Sequence, residues 1–176
     1  MAKRSELREH SAAMQHRFKR QAPPLPLNAP LRYASLMHTR QTLSIGDFGT
    51  FTRTITEADV FAFAGVSGDQ NPLHLDEEYA RHSVFGQRVA HGILTAGLIS
   101  TVLGGDIPGL GTIFVELQIR FLKPVFFGDT VTARATVVEI KNPRRIRLMV
   151  ACTNQDGADV AIGNAIVIPP VETRIV

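Results

Sequence analysis

The residues of this chain best suited to acid and base chemistry lie in one short polar stretch, Ser67–His74. Asp69 and His74 are five positions apart, and the turn-forming pair Asn71-Pro72 between them can bring both side chains to one point. A carboxylate beside an imidazole can hold a water molecule and move protons, each such role contributing about 10²- to 10⁴-fold in rate. Asp and Asn also favour turns for backbone reasons, so the spacing alone leaves a purely structural role open.

A second candidate is the pair His91-Gly92, which directly precedes a run of apolar residues. If a helix begins there, its first N–H groups point outward, and a glycine lets a ligand approach the backbone closely. The pair is therefore a candidate site for a developing oxyanion. The alternative is that His91 only caps the helix and Gly92 only avoids a clash.

Other common kinds of site find little support. Asp69, His74, His82 and His91 are potential metal ligands, but their spacing matches no common metal site, so we expect no metal. The sequence has no Gly-x-Ser-x-Gly elbow, no phosphate-binding glycine loop and no dinucleotide fingerprint. We therefore expect no cofactor.

One strand and three helices are predicted around these candidate residues. Phe48–Ile55 is predicted as a strand, and Thr56 followed by Asp59 is typical of a capping box that starts a short helix ending near Val66. After the polar loop, a short helix is predicted near Glu77–Arg81 and a longer one, apolar nearly all round, from His91 to about Leu103. A helix of that kind is expected to be enclosed by other structure.

The second half of the chain alternates apolar and polar residues, the period of half-buried strands. Strands are predicted at about Val115–Phe121, Thr130–Ile140, Arg145–Thr153 and Ala158–Ile168. Asn142-Pro143 and Asp156-Gly157 lie between consecutive strands and favour hairpins. The expected fold class is α+β, with an antiparallel meander around one central apolar helix, and a homodimer would hide an exposed sheet edge.

The charge of the chain is uneven. Residues 1–40 contain 8 of the 19 Lys and Arg but only 2 of the 16 acids, which leaves 11 bases against 14 acids in the remainder. We expect a basic, Pro-containing extension at 1–44, a single domain at 45–176, and neither nucleic acid nor membrane as partner. The absence of a secretory signal pattern favours the cytoplasm, with the mitochondrial matrix as the alternative if the extension is a presequence.

The stretch FAGVSGDQNPLHLDEEYA, residues 63–80, resembles the signature of the R-specific enoyl-CoA hydratases within the MaoC-like dehydratase family. The resemblance rests on Ser-Gly-Asp-x-Asn-Pro-aliphatic-His and on a small residue six positions after the histidine. It continues through AHGILTAGLIS at 90–100 and through Phe-Leu-Lys-Pro-Val followed by Gly-Asp, and so covers roughly residues 46–170.

This resemblance implies a hot-dog fold, in which a sheet wraps a central helix, and a reversible hydration of trans-2-enoyl-CoA or enoyl-acyl-carrier thioesters to (3R)-hydroxyacyl thioesters. It implies Asp69 and His74 as the catalytic pair, with acid and base roles that can be divided either way. Asn71 would support the loop and Gly92 would donate its N–H to the thioester oxygen. Candidates for an apolar acyl slot are Phe63, Leu73, Leu94 and Leu98.

Two other functions are weighed against hydration. Hot-dog proteins also host acyl-CoA thioesterases, because a fold does not fix a function. A non-catalytic subunit that binds acyl thioesters is the second alternative. The loop containing Asp69 and His74 argues against both.

Overall fold

The computed structural model describes residues 42–171 and 173–175 of the 176-residue chain. The basic extension predicted at 1–44 therefore lies outside the described residues except for its last three. Strand β1, Thr42–Leu43, pairs in parallel with β7, Arg174–Ile175. Because the side chain of Leu43 is fully buried in the hydrophobic core, the folded part of the chain includes residues just before the predicted boundary at 45.

The main sheet has five antiparallel strands in the order β2-β4-β5-β6-β3. These strands are β2 Phe48–Thr54, β3 Ile113–Phe121, β4 Thr130–Asn142, β5 Arg145–Thr153 and β6 Asp159–Ile168. The predicted meander is confirmed for β4, β5 and β6. It differs for β3, which pairs with β6, because β2 already occupies the free side of β4. As a result, β2 and β3 form the two edges of the sheet.

The central helix α4, Gly92–Gly105, packs one face against this sheet. Its buried residues recur at helical spacing: Thr95, Ala96, Leu98, Ile99, Val102 and Leu103. They meet the buried side chains that alternate along β4 and β5, as the sequence predicted. Burying one such aliphatic side chain stabilises a fold by roughly 1.5–3 kcal/mol.

The opposite side of α4 stays open, although the helix was predicted to be enclosed. Ile93 is 60% exposed, and Gly97 and Ser100 on the same stripe are exposed as well. Within a single chain the sheet therefore covers the helix on one side only. None of the helices in the described ranges is long and apolar enough to cross a bilayer.

Three short helices connect β2 to α4: α1 Glu57–Ser67, α2 Pro72–Leu75 and α3 Glu77–Arg81. Gly68 ends α1 with a left-handed φ of 76° and donates its N–H to the carbonyl of Ala64. The stretch 69–74 was predicted as a loop, but it contains the single turn α2. This turn forms because Asn71 is its N-cap and Pro72 occupies its first position, where no N–H is needed.

The N-terminus of α1 has the predicted capping box. The hydroxyl oxygen of Thr56 accepts from the Asp59 N–H at 3.2 Å, and the Asp59 carboxylate accepts from the Thr56 N–H at 2.9 Å. The hydroxyl of Thr56 also donates to this carboxylate at 2.7 Å, and the guanidinium of Arg53 pairs with it. Hydrogen bonds from Thr56, with the help of Arg53, lower the pKa of Asp59 to about 2.

We expect Asp59→Asn to lower the free energy of unfolding by about 1 kcal/mol at pH 7, the usual scale for a lost cap contact. An unfolded Asp titrates near 3.9, above the folded pKa of about 2, so the carboxylate contributes fully above roughly pH 5. Its contribution is lost as the pH falls toward 2. Urea unfolding of both proteins at pH 7, 4 and 3 should show a narrowing gap. A gap that stays constant over this range would contradict the assignment.

Candidate active site

His74 lies on α2 and is fixed by one hydrogen bond. Its Nδ1 is 2.7 Å from the carbonyl oxygen of Val89. Because a carbonyl only accepts, Nδ1 carries the hydrogen, and Nε2 of the neutral ring keeps its lone pair. The ring is half-buried, so it is held firmly while its edge stays within reach of a bound molecule.

Asp69 follows the end of α1 and is exposed. Its Oδ1 accepts from the N–H of Asn71 at 3.2 Å, and its own N–H donates to the hydroxyl of Ser67 at 3.2 Å. Asn71 in turn accepts from the N–H of Leu73 at 3.1 Å. These local bonds shape the turn that carries Asp69 and His74, and the supporting role that the resemblance implies for Asn71 stays a prediction.

His91 brings the two candidates together. Its side chain is 2% exposed, and its Nε2 is 3.0 Å from the backbone carbonyl oxygen of Asp69. Its ring stacks on that of His74 with centroids 3.8 Å apart and contacts Phe63 at 4.9 Å. The alternative that His91 caps α4 is wrong for its side chain, which makes no capping hydrogen bond. The sequence signal for the hydrogen bond from His91 to Asp69 is a histidine within an apolar segment. The spacing of residues along the chain does not show which group this histidine contacts.

Gly92 is the first residue of α4 and lines a cavity of about 350 Å³. A Cβ atom at this position would lie 3.0 Å from the ring of Phe121, so the glycine lets the helix start lie close to β3. The N–H groups of a first helical turn have no acceptor within the helix. Gly92 follows His91 directly, which places a backbone donor next to the group formed by Asp69, His74 and His91.

The four residues predicted for an acyl slot occupy different places. Phe63 is half-buried against His91, and Leu73 is half-buried on α2. Leu98 is 5% exposed in the core, with Leu94 packed against the same cluster. The cavity beside Gly92 has a different lining, which includes Phe85, Thr95, Phe121, Lys123 and Val125. Sequence reasoning missed this lining because β3 and the segment after it lie far from the polar loop in the chain.

Arg88 joins the elements around the loop. Its guanidinium pairs with Glu57 on α1 at 2.7 Å and with Glu77 on α3 at 2.8 Å, and it stacks over Phe127 at 4.8 Å. Burial alone would lower the pKa of Arg88, but the two carboxylates outweigh it and raise the pKa. Because the next residue is Val89, this network fixes the backbone that holds His74. No local pattern in the sequence predicts this network, since the three charges are far apart in the chain.

Within the described ranges, one group of side chains could hold a metal ion. It consists of Asp69, His74 and His91. One ligand atom from each lies within 4.8 Å of the other two. Ligands bound to one tetrahedral zinc ion at about 2.1 Å sit roughly 3.4 Å apart. Each imidazole already directs one nitrogen to a backbone carbonyl, and the other nitrogen could serve either a metal or a proton.

Comparisons with known proteins show which family this chain belongs to. A family model described as MaoC like domain matches residues 46–158. An (R)-specific enoyl-CoA hydratase of Rhodospirillum rubrum is 40% identical over 136 residues, covering 77% of this chain and 94% of that protein. A mitochondrial 3-hydroxyacyl-[acyl-carrier-protein] dehydratase of Arabidopsis thaliana is 31% identical over 144 residues, covering 80% and 86%. The solved structure of unliganded R-hydratase PhaJ1 from Pseudomonas aeruginosa superposes with a TM-score of 0.70 at 39% identity, covering 73% and 83%.

Proposed function

Because this chain belongs to the family with a MaoC-like domain, we propose that it is a hydro-lyase that reversibly hydrates trans-2-enoyl thioesters to (3R)-hydroxyacyl thioesters. The observation that carries the proposal is the convergence of Asp69, His74 and the start of α4 at one place. The chain uses no cofactor or metal in this reaction, because a carboxylate, an imidazole and a backbone N–H meet its chemical needs.

The attacking water is held between two acceptors. The carboxylate of Asp69 and the bare Nε2 of His74 each accept one of its hydrogens, which turns an oxygen lone pair toward C3 of the enoyl group. Asp69 takes the proton as the C3–O bond forms, and His74 keeps the water in place. The same proton then returns to C2, so that H and OH add to one face of the double bond.

Negative charge develops on the thioester oxygen when water attacks C3. The N–H of Gly92 donates to this oxygen, and the N-terminus of α4 adds its positive end. The donor is rigid because it belongs to a helix whose buried face is packed in the core. The chain therefore stabilises the enolate-like intermediate with a group that needs no rearrangement during the reaction.

The acyl carrier is CoA in this proposal, with an acyl carrier protein as the second candidate. The Rhodospirillum rubrum relative supports the first and the Arabidopsis thaliana relative the second. The partly apolar cavity beside Gly92 suits a thioester arm, whereas Phe63, which contacts His91, and Leu73 are not among the residues that line it. We place the enzyme in the cytoplasm, where the single thiol, Cys152, stays buried and reduced.

We also propose that two copies pair through the edge strand β3. Ile113, Val115 and Phe121 on this strand are 44%, 51% and 48% exposed. An exposed apolar edge favours pairing with another strand. The open stripe of α4 with Ile93 lies on the helix that packs against β3. Pairing would therefore cover both surfaces beside the cavity at Gly92.

We expect light scattering to give a mass of twice 19.3 kDa. Val115→Lys should shift the protein toward the monomer, because pairing would bury the new charge at the edge. Met149→Lys is the matched control, since Met149 is 53% exposed on β5 in the middle of the sheet. An unchanged mass for Val115→Lys would contradict pairing through β3.

The function is tested by adding crotonyl-CoA and following the loss of the conjugated-thioester absorbance, with thiol release measured in parallel. We expect rapid absorbance loss without thiol release, a 3R product by chiral chromatography, and no change after dialysis against EDTA. Thiol release would instead indicate a thioesterase. Binding without turnover, over a panel of acyl lengths on CoA and on acyl carrier protein, would indicate a binding subunit.

A further inference from the structure

His91 is held in one tautomer by its surroundings. Its Nε2 faces the carbonyl oxygen of Asp69 at 3.0 Å, so this nitrogen carries the hydrogen of the neutral ring. The other nitrogen, Nδ1, is buried and has no hydrogen-bond partner among the residues that the structure describes. His91 thus donates one defined hydrogen bond and keeps a bare, buried lone pair.

Packing alone does not account for a histidine at this position. A buried acceptor without a partner costs about 1–3 kcal/mol, and an apolar side chain would avoid that cost. The side chain makes no capping bond to α4 either. The contacts that remain are the bond to Asp69 and the ring faces shared with His74 and Phe63.

Each of the two imidazoles is hydrogen-bonded to the segment that carries the other. His74 donates to the carbonyl of Val89, two residues before His91. His91 donates to the carbonyl of Asp69, five residues before His74. These two side-chain hydrogen bonds, together with the bond from the Val89 N–H to the carbonyl of Leu73 at 3.2 Å, join the loop that carries the catalytic pair to the chain that leads into α4. The rings of His74 and His91 lie against each other with centroids 3.8 Å apart. This contact limits sideways movement of the His74 side chain.

We propose that His91 is a positioning residue, which sets Asp69 through its hydrogen bond and sets His74 through its ring face. The inference rests on the proposed hydration and adds a residue that acts through the catalytic pair without touching the reacting atoms. Misplacement of a catalytic group by about 1 Å can cost on the order of 10²-fold in rate. The structure therefore assigns His91 an effect on kcat larger than its effect on KM.

Three substitutions separate the two contacts. His91→Leu removes both and should lower kcat by about 10²-fold, with KM changed by less than roughly threefold. His91→Phe keeps a ring face, and His91→Gln keeps an N–H near the position of Nε2, so each should recover about tenfold relative to leucine. The melting temperature of His91→Leu and His91→Phe should equal or exceed that of the wild type, because the unpartnered nitrogen is gone.

Val102→Ala is the matched control, since Val102 is 1% exposed on α4 and packs in the core. It should lower the melting temperature and leave kcat unchanged. The positioning role is refuted if the leucine variant retains kcat within threefold of the wild type, or if Val102→Ala loses as much kcat as the leucine variant does.

A second readout does not depend on turnover. In ¹⁵N NMR spectra, His74 of the wild type should show a neutral ring protonated at Nδ1, with slow exchange of that hydrogen. In His91→Leu the exchange should be faster and the two tautomers should mix. Unchanged His74 signals would overturn the inference even in an active enzyme. A wild type without hydratase activity but with the expected signals would overturn the proposed function and leave the positioning intact.

Discussion

Replacing Asp69 with asparagine is expected to lower kcat for enoyl-CoA hydration by about 10³-fold, within the range that loss of one general base produces. The substitution is nearly isosteric, and the asparagine oxygen can still accept from the N–H of Asn71 as the carboxylate does. The turn should therefore persist while the group that takes the water proton is lost. Steady-state kinetics with crotonyl-CoA and thermal unfolding measure the two effects separately.

His74→Asn is the companion to this variant, because an asparagine N–H can replace Nδ1 in the bond to Val89 while Nε2 is removed. We expect about 10²- to 10⁴-fold loss, and a double variant not much slower than the slower single variant, since both groups hold one water. If Asp69→Asn kept more than about a tenth of the activity, Asp69 would not be the base. Fully additive losses in the double variant would mean that the two residues act independently.

The second large effect is expected at Gly92, where the backbone and not a side chain is the functional group. Gly92→Pro removes the N–H, and its loss should cost about 10²- to 10³-fold in kcat, as for other oxyanion donors. Proline suits the first position of a helix. His91 has φ −60° and ψ 132°, a conformation that the residue before proline readily adopts. Helix α4 should therefore form in this variant.

Gly92→Ala controls for the added bulk, because it introduces the same Cβ atom at 3.0 Å from Phe121 and keeps the N–H. The ratio of kcat for the alanine and proline variants then reports the loss of the N–H together with the ring atoms that replace it, separated from the effect of the Cβ atom. Combining each with Phe121→Leu relieves the contact and should leave that ratio unchanged. Equal kcat for the alanine and proline variants would exclude Gly92 as the oxyanion donor.

The sequence was most informative where a signal is local. The capping box at Thr56, the left-handed glycine after α1 and the Asp-Gly turn before β6 depend on a few adjacent residues, and the elements begin and end close to the predicted positions. The fold class also followed, because alternating strands and one apolar helix leave few ways to bury both. The signature around Asp69 and His74 indicated the family for the same reason.

What the sequence did not predict depends on contacts between distant segments. The place of β3 beside β6 depends on which sheet edge remains free, and the local sequence pattern of β3 does not predict it. Phe121 meets Gly92 only because of that placement. The link from His91 to the Asp69 carbonyl and the pairing of Arg88 with two helices likewise require the folded chain.

The polar groups of the candidate active site all come from residues 69–92, whereas most of the core is supplied by the sheet and by the buried face of α4. Substitutions in the short polar stretch can therefore accumulate after gene duplication without unfolding the domain. A duplicated copy that loses Asp69 or His74 would still retain the β3 edge. Under the pairing proposed for β3, such a copy would associate with an active one, and mixed assemblies in which one subunit no longer catalyses the reaction would be able to evolve.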